Sequence, residues 1–397
     1  MPTLSTATDH PHERSGAVPE SKGASTSRHA LAQSASAAIG GAAARAMYGY
    51  AANKGRVDLC YFLIQQNADI YARDENGSRP LDYAWDRILS KDVDEETSSA
   101  LSTIFSDSEH LEARQFSTLH KALLGLASSS LTVQLQLSTA HINSMDGNGR
   151  TCLSWAAARG DVVATQVLLE HGANPDITDM EGFPPLFHAI RSRSKECISL
   201  LLKYSTKHQA VNVYGCTALH VASICSDPDI MALLIEQCRV SVNAIDYDGD
   251  TALNAVARTK LAAAARHLLD AGADASIANV TGDTPLHMAV YWMSLEVLEE
   301  LVRSGADFNV LNVKGETPLH TVARDCDPEV LGILKGAPSV LNVDLYAKNR
   351  DGVSCLDCVS DNEEKRRLFE DFLEQIRRSG ERRGEEDDEV YEDAPEY

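Results

Sequence analysis

Three histidines of this 397-residue chain, His220, His287 and His320, share one setting: a Thr three residues before and a Leu directly before. An imidazole can serve as acid or base near neutral pH. That work needs a nucleophile or orienting carboxylate in fixed relation to it, and no such constellation accompanies His287 in sequence. Cys355 and Cys358 form a lone C-x-x-C. Zinc normally takes a second ligand pair, and no companion pair is in view. Asp146–Ala157 and Asp246–Ala257 begin like calcium loops but end on Ala, where a bidentate Glu belongs. There is no Gly-rich phosphate cradle and no G-x-S-x-G elbow. The sequence thus offers no catalytic residue, no metal ligand and no cofactor site, and the chain is expected not to be an enzyme.

The surroundings of those histidines recur. "GRTCLSWAA" starts at Gly149, "GFPPLFHAI" at Gly182, "GCTALHVAS" at Gly215, "GDTALNAVA" at Gly249, "GDTPLHMAV" at Gly282 and "GETPLHTVA" at Gly315. The successive spacings are 33, 33, 34, 33 and 33, which marks a stacked repeat array rather than a compact enzyme domain. Each copy reads physically as two helices. Thr or Ser after the Gly can cap the first through its hydroxyl, Pro suits its first turn, and the small pair after the H position, as in Ala156-Ala157 and Ala289-Val290, admits a close neighbour. Twelve residues past the Gly come further capping types, Asp161, Ser194, Asp227, Ser294 and Asp327. Paired aliphatics such as Leu168-Leu169, Leu201-Leu202 and Leu301-Val302 widen the buried stripe of this second helix. It stops at Gly-Ala, and an extended piece with a turn returns the chain to the next Gly.

Period and motif together resemble the ankyrin-repeat family, whose signature includes T-P-L-H-x-A. Weaker copies extend the array both ways: one near Ala44, "GSRPLDYAW" at Gly77, "QFSTLHKAL" from about Gln115 and "GVSCLDCVS" at Gly352. The resemblance implies an all-α, ankyrin-like helical-hairpin solenoid of about ten repeats with short β-hairpin turns. It also implies that the imidazole at the H position hydrogen-bonds locally and ties loops together; Ser154, Phe187, Asn254 and Asp357 hold that slot elsewhere.

Four segments are expected. Residues 1–43, rich in Ser, Ala, Gly and Pro, read as disordered. Residues 44–145 hold partly degenerate repeats, with one spacing stretched to 38 and a helix expected near Glu95–Phe105. The copy from about Gln115 lacks the Gly-Ala ending and reads as a seam, and residues 146–376 hold the regular array. It ends in a capping helix over Glu363–Arg378 with Leu368, Phe369, Phe372, Leu373 and Ile376 inward, as an array that stops in water requires. Residues 377–397 read as an acidic disordered tail.

The net charge is −22, which disfavours a nucleic-acid partner. No apolar run approaches a membrane span, the first residues lack the apolar middle of a secretory signal, and nine scattered cysteines suit reduced thiols. An intracellular monomer, cytoplasmic or nuclear, is expected. In the resembled family, turn tips and the exposed ends of first helices line a concave groove. Here Phe183, Tyr214 and Tyr247 fall near three consecutive tips, and Tyr291 and Trp292 follow a small pair. Exposed aromatics at a groove suit a protein or peptide interface, with Met180, Arg191, Asp248 and Arg258 as a polar rim. The expected function is non-catalytic partner binding along that surface. The alternative is a regulatory or inhibitory subunit that presents substrates to, or blocks, a partner enzyme through the acidic tail.

Overall fold

The computed structural model describes most of residues 50–65, scattered positions between 80 and 104, and 114–392 with short interruptions. The expected disordered segment 1–43, the start near Ala44, most of the copy at Gly77 and the last residues of the tail lie outside the described residues. The chain divides into two compact units, residues 1–88 with 92–105, and residues 89–91 with 106–397.

In the first unit, α1 (Val57–Gln65) packs on α2 (Glu95–Ile104). Ala51, Ala52, Cys60, Leu63 and Leu101 are buried there. The helix expected after the enlarged loop is α2, and Asp94 caps it by accepting the Thr97 N–H at 2.7 Å.

The second unit is a row of helix pairs: α3 (Thr118–Leu123) with α4 (Leu131–Leu137), α5 (Cys152–Ala158) with α6 (Val162–Glu170), α7 (Pro185–Arg191) with α8 (Lys195–Tyr204), and α9 (Ala218–Cys225) with α10 (Pro228–Gln237). Then come α11 (Ala252–Thr259) with α12 (Ala262–Asp270), α13 (Pro285–Tyr291) with α14 (Leu295–Arg303), and α15 (Pro318–Asp325) followed by α16 (Pro328–Lys335). First helices pack on first helices from α3 to α15, and second helices on second helices from α6 to α16. α3 packs on α5, so the copy from Gln115 joins this row, and the two compact units divide near Phe105. The last copy contributes only a 3₁₀ turn, Leu356–Cys358, against α15, and α17 (Glu363–Glu392) against α16.

Local chemistry builds many of these helices as the sequence implies. Thr151, Thr251 and Thr284 cap α5, α11 and α13 through their hydroxyls, and Asp161 and Ser194 cap α6 and α8. Asp227 and Asp327 accept N–H groups of Asp229 and Glu329 at 3.1 and 2.8 Å. Ser294 does not cap: its hydroxyl is buried and donates backward to the Ala257 carbonyl. On α17, Phe369, Phe372 and Ile376 are buried, with Leu368 and Leu373 partly so. The helix continues to Glu392, into the stretch that reads from sequence as a disordered tail.

The connecting turns carry no strand among the described residues. Single antiparallel bridges such as Met145–Thr151, Ile245–Thr251 and Lys348–Ser354 stand where hairpins were expected. The turns are instead shaped by one side chain. Asp146, Asp179, Asn212, Asp246, Asn279, Asn312 and Asn349 each accept the N–H groups two and four residues ahead, all at 2.9–3.0 Å. This use accounts for the calcium-like spacing at Asp146 and Asp246. Each tip then donates an N–H to a carbonyl of the tip before it: Met180 to Asn148, Val213 to Glu181, Tyr247 to Tyr214, Val280 to Asp248, Val313 to Thr281 and Arg350 to Lys314, at 2.9–3.1 Å. The glycines make the approach possible. Gly282 has φ +76°, and a Cβ there would lie 2.8 Å from the Asn312 Cα and the Val313 N.

The unit from Gly182 ends in "KYSTKHQAVNVYG", without the Gly-Ala of its neighbours, and this is compensated locally. His208 Nε2 meets the Leu202 carbonyl at 3.1 Å, and Ser205 donates to Asp176 at 2.6 Å. The irregularity is thus confined to the helix end, and the Asn212 turn that follows is regular.

Candidate functional site

The histidines answer the first chemical question. His287 is buried; its Nδ1 accepts the Thr284 N–H at 3.2 Å and meets the Thr284 hydroxyl at 2.9 Å. Its Nε2, 3.1 Å from the Glu316 carbonyl, donates into the next unit. His120, His220 and His320 make the same two-sided link, to the carbonyls of Arg150, Asp250 and Val353 at 3.1, 2.9 and 3.4 Å. Asn254 reaches the Asp283 carbonyl from the same slot at 3.2 Å. Burial pushes His120, His287 and His320 below the ordinary imidazole range. Both ring nitrogens are used for structure, so these side chains are fasteners.

Cys355 lies buried with Sγ 3.4 Å from His320 Nδ1, and burial pushes its thiol up to about 11. A thiol so protonated is a poor nucleophile. Among the described residues no group of three His, Cys, Asp or Glu side chains is placed to hold a metal ion.

Two units fasten differently. Ser154 and Phe187 occupy the H slot, and the following residue takes over: Trp155 Nε1 donates to Asp146 at 2.9 Å, and His188 Nε2 meets Asp179 at 3.0 Å. Arg150 lies over the Trp155 ring at 5.3 Å and pairs with Asp179 at 3.5 Å. Burial acts to raise the Asp179 carboxyl, but His188, the Phe183 N–H and Arg150 prevail and hold it below the usual carboxylate range. Burial lowers His188 likewise.

The side chains that face solvent form a second periodic set. The residue after each small pair stands at the last or next-to-last position of the first helix: Arg191, Ile224, Arg258, Tyr291 and Arg324, at intervals of 33, 34, 33 and 33. Eight residues earlier in the same units stand Phe183, Cys216, Asp250, Asp283 and Glu316. The two sets meet. Arg191 lies 6.0 Å from the Phe183 ring centre, Arg258 Nη2 is 2.8 Å from Asp250, and Arg324 Nη2 is 2.5 Å from Glu316. Burial raises the Asp250 carboxyl above its usual range. Arg258, Met288, Tyr291, Trp292, Lys314 and Arg324 line one open groove of about 270 Å³.

Of the residues singled out from sequence, Arg258, Tyr291 and Trp292 share this groove. Tyr291 and Trp292 meet edge to face, with centroids 5.4 Å apart. Tyr214 and Tyr247 stand exposed at adjacent tips, where Tyr247 lies against the Gly215 backbone. Phe183 is half-buried, packed edge-on against Phe187 and under Arg191, so it serves as floor more than as contact. Ile224, Arg324 and the eight-residue partnership escaped the sequence reading. The position directly after the small pair, followed through every copy, is the signal that finds them.

A family model described as ankyrin repeats (3 copies) matches in overlapping stretches, residues 119–212, 164–246, 204–279, 227–312 and 255–349, more than half of the chain. The E3 ubiquitin-protein ligase KEG of Arabidopsis thaliana is 32% identical over 177 residues, 43% of this chain and 10% of that protein. Inversin of Homo sapiens is 33% identical over 159 residues, 38% of this chain and 15% of that protein. The chain thus spans a small part of these relatives. The solved ankyrin repeat domain of Bcl-3, described as a unique member of the IkappaB protein family, superposes with a TM-score of 0.50 at 27% identity, covering 56% of this chain and 100% of that one. Among the described residues no helix is long and apolar enough to cross a membrane.

Proposed function

This chain belongs to the ankyrin-repeat family, a family of protein–protein interaction modules, and from that premise we propose that it binds a protein or peptide partner, without catalysis, along the concave face of the second unit. One observation carries the reading: the residues ending successive first helices are exposed and chemically mixed, while their neighbours toward the N-terminus of each helix are buried. Tyr291 and Trp292 are 63% and 46% exposed beside Ala289 and Val290 at 0% and 1%. Large apolar rings left in solvent at a groove are characteristic of interface hot spots. Tyr214 and Tyr247 extend the surface to the tips. The described cysteines are all thiols, which supports an intracellular setting.

Peptide display against the full chain, with hydrogen-exchange footprinting of the selected sequences, tests this. Protection is expected over 183–192, 214–225, 247–259, 281–292 and 314–325. Tyr291→Ala with Trp292→Ala should weaken binding about tenfold or more. Footprints on the second helices, or affinities indifferent to both substitutions, would sink the proposal.

A further inference from the structure

We infer that the groove is a ruler for an acidic segment in the polyproline-II conformation, with carboxylates at every sixth position and an apolar side chain midway between them. This rests on the groove reading above and adds the chemistry and spacing of the partner.

The row reads Arg191, Ile224, Arg258, Tyr291, Arg324, one residue per unit, so the arginines recur every second unit. Neighbouring first helices pack at roughly 8–10 Å. A polyproline-II helix has three residues per turn and rises about 3.1 Å per residue, hence about 9 Å per turn, with every third side chain on one side. One turn therefore matches one unit. A β-strand does not match, because residues three apart point to opposite faces.

Guanidiniums are the charges that face outward along this row, although the chain carries −22 overall. The side chains of Arg258 and Arg324 are 41% and 46% exposed, whereas those of their partners Asp250 and Glu316 are 4% and 10% exposed. The carboxylates lie behind and the guanidiniums in front. Each arginine gives one Nη to its partner, and its planar fork carries further donors that suit a carboxylate. Arg191 is steadied by an aromatic ring instead and is also exposed. The remaining acid in the row, Asp283, has its oxygens engaged by Asn312 and Thr281 at 2.9 and 2.7 Å. Between the arginines, Ile224 and Tyr291 are 66% and 63% exposed, which are the apolar counterparts the register requires.

The test measures anisotropy of labelled synthetic peptides on the full chain. The probe is a proline-rich host with Asp at every sixth position and Leu midway; controls are an isomer with Asp at every fourth position and a version with Lys for Asp. The probe should bind at least about tenfold tighter than either control. That preference should vanish in a chain carrying Arg191→Gln, Arg258→Gln and Asp250→Asn, the last so that no buried carboxylate is left unpaired; an unchanged melting temperature confirms that this variant folds. Equal binding of the isomer, tighter binding of the Lys version, or no binding by any peptide overturns the inference. Binding of either control that Tyr291→Ala abolishes overturns the spacing while leaving the groove reading intact, which the footprints judge separately.

Discussion

The units from Gly182 and Gly282 are built on one plan and fasten themselves in opposite directions. In the later unit His287 joins its own helix start to the Glu316 carbonyl of the next unit. In the earlier unit Phe187 has no polar group to reach forward, and His188 turns back to Asp179 within the same turn. The unit from Gly149 fastens backward in the same way through Trp155 and Asp146, and reaches forward only by the longer Arg150–Asp179 pair at 3.5 Å. Fastening forward adds to the coupling between units; fastening backward adds to the stability of a unit by itself. In a linear array these two quantities are separate. The stretch from α9 to the 3₁₀ turn should therefore melt more nearly as one body, and α5 to α8 should open more independently.

The sharpest break is at Asp179. Asp179→Ala leaves His188 and Arg150 without their shared carboxylate and two turn N–H groups without an acceptor. A loss of about 3–5 kcal/mol in denaturant unfolding is expected, with hydrogen exchange rising first in 179–205. Asp179→Asn, the residue type Asn212 uses in the same place, should cost much less. A global, simultaneous rise in exchange would refute the contrast.

His287 probes the other side. His287→Ala should cost about 1–3 kcal/mol, whereas His287→Asn, which copies Asn254, should retain more than half of that. Acidification gives the same sign. The folded chain holds His120, His188, His287 and His320 below the free imidazole range, so the unfolded chain binds protons first. Stability is fully present above the free value near ~6.5 and falls as pH drops below it. A melting temperature unchanged between pH 7.5 and 5 would contradict this.

The smallest effect concerns backbone strain. Gly160 ends its first-helix loop with φ +60°, and Lys260 holds the equivalent place at +61°. Lys260→Gly relieves a left-handed side chain against a more flexible unfolded chain, for a net gain of a few tenths to about 1 kcal/mol. A lower melting temperature would show that Lys260 contributes contacts that outweigh the strain.

The array was legible because its determinants are local and repeated: Thr caps, small pairs and paired aliphatics each serve the same neighbour in every copy. Ser294 misled because its hydroxyl has two uses, and the nearness of the Ala257 carbonyl decides between them. The placement of the copy from Gln115 depended on whether α3 could pack on α5, which its missing Gly-Ala ending obscured. The long α17 was hidden because a charged stretch lacks the apolar period by which helices are read. At the groove, Tyr291, Trp292 and Arg258 stood out by type. Arg324 and Ile224 required the partnership with the residue eight positions back, a relation set by how each hairpin folds over its helix.

The tip-to-tip N–H···O=C contacts survive where the spacing does not. Between Gly315 and Gly352 the period grows to 37, yet Arg350 still donates to Lys314 at 2.9 Å. The extra length therefore falls after α16, between Lys335 and Asp344, whose N–H reaches Asn309 at 2.9 Å, while the tips keep their pitch. Ala337 and Val340 of that stretch are buried in the same core as the helices, so the added length is stowed within the array, and substituting either by a charged residue should loosen this end without shifting the tips.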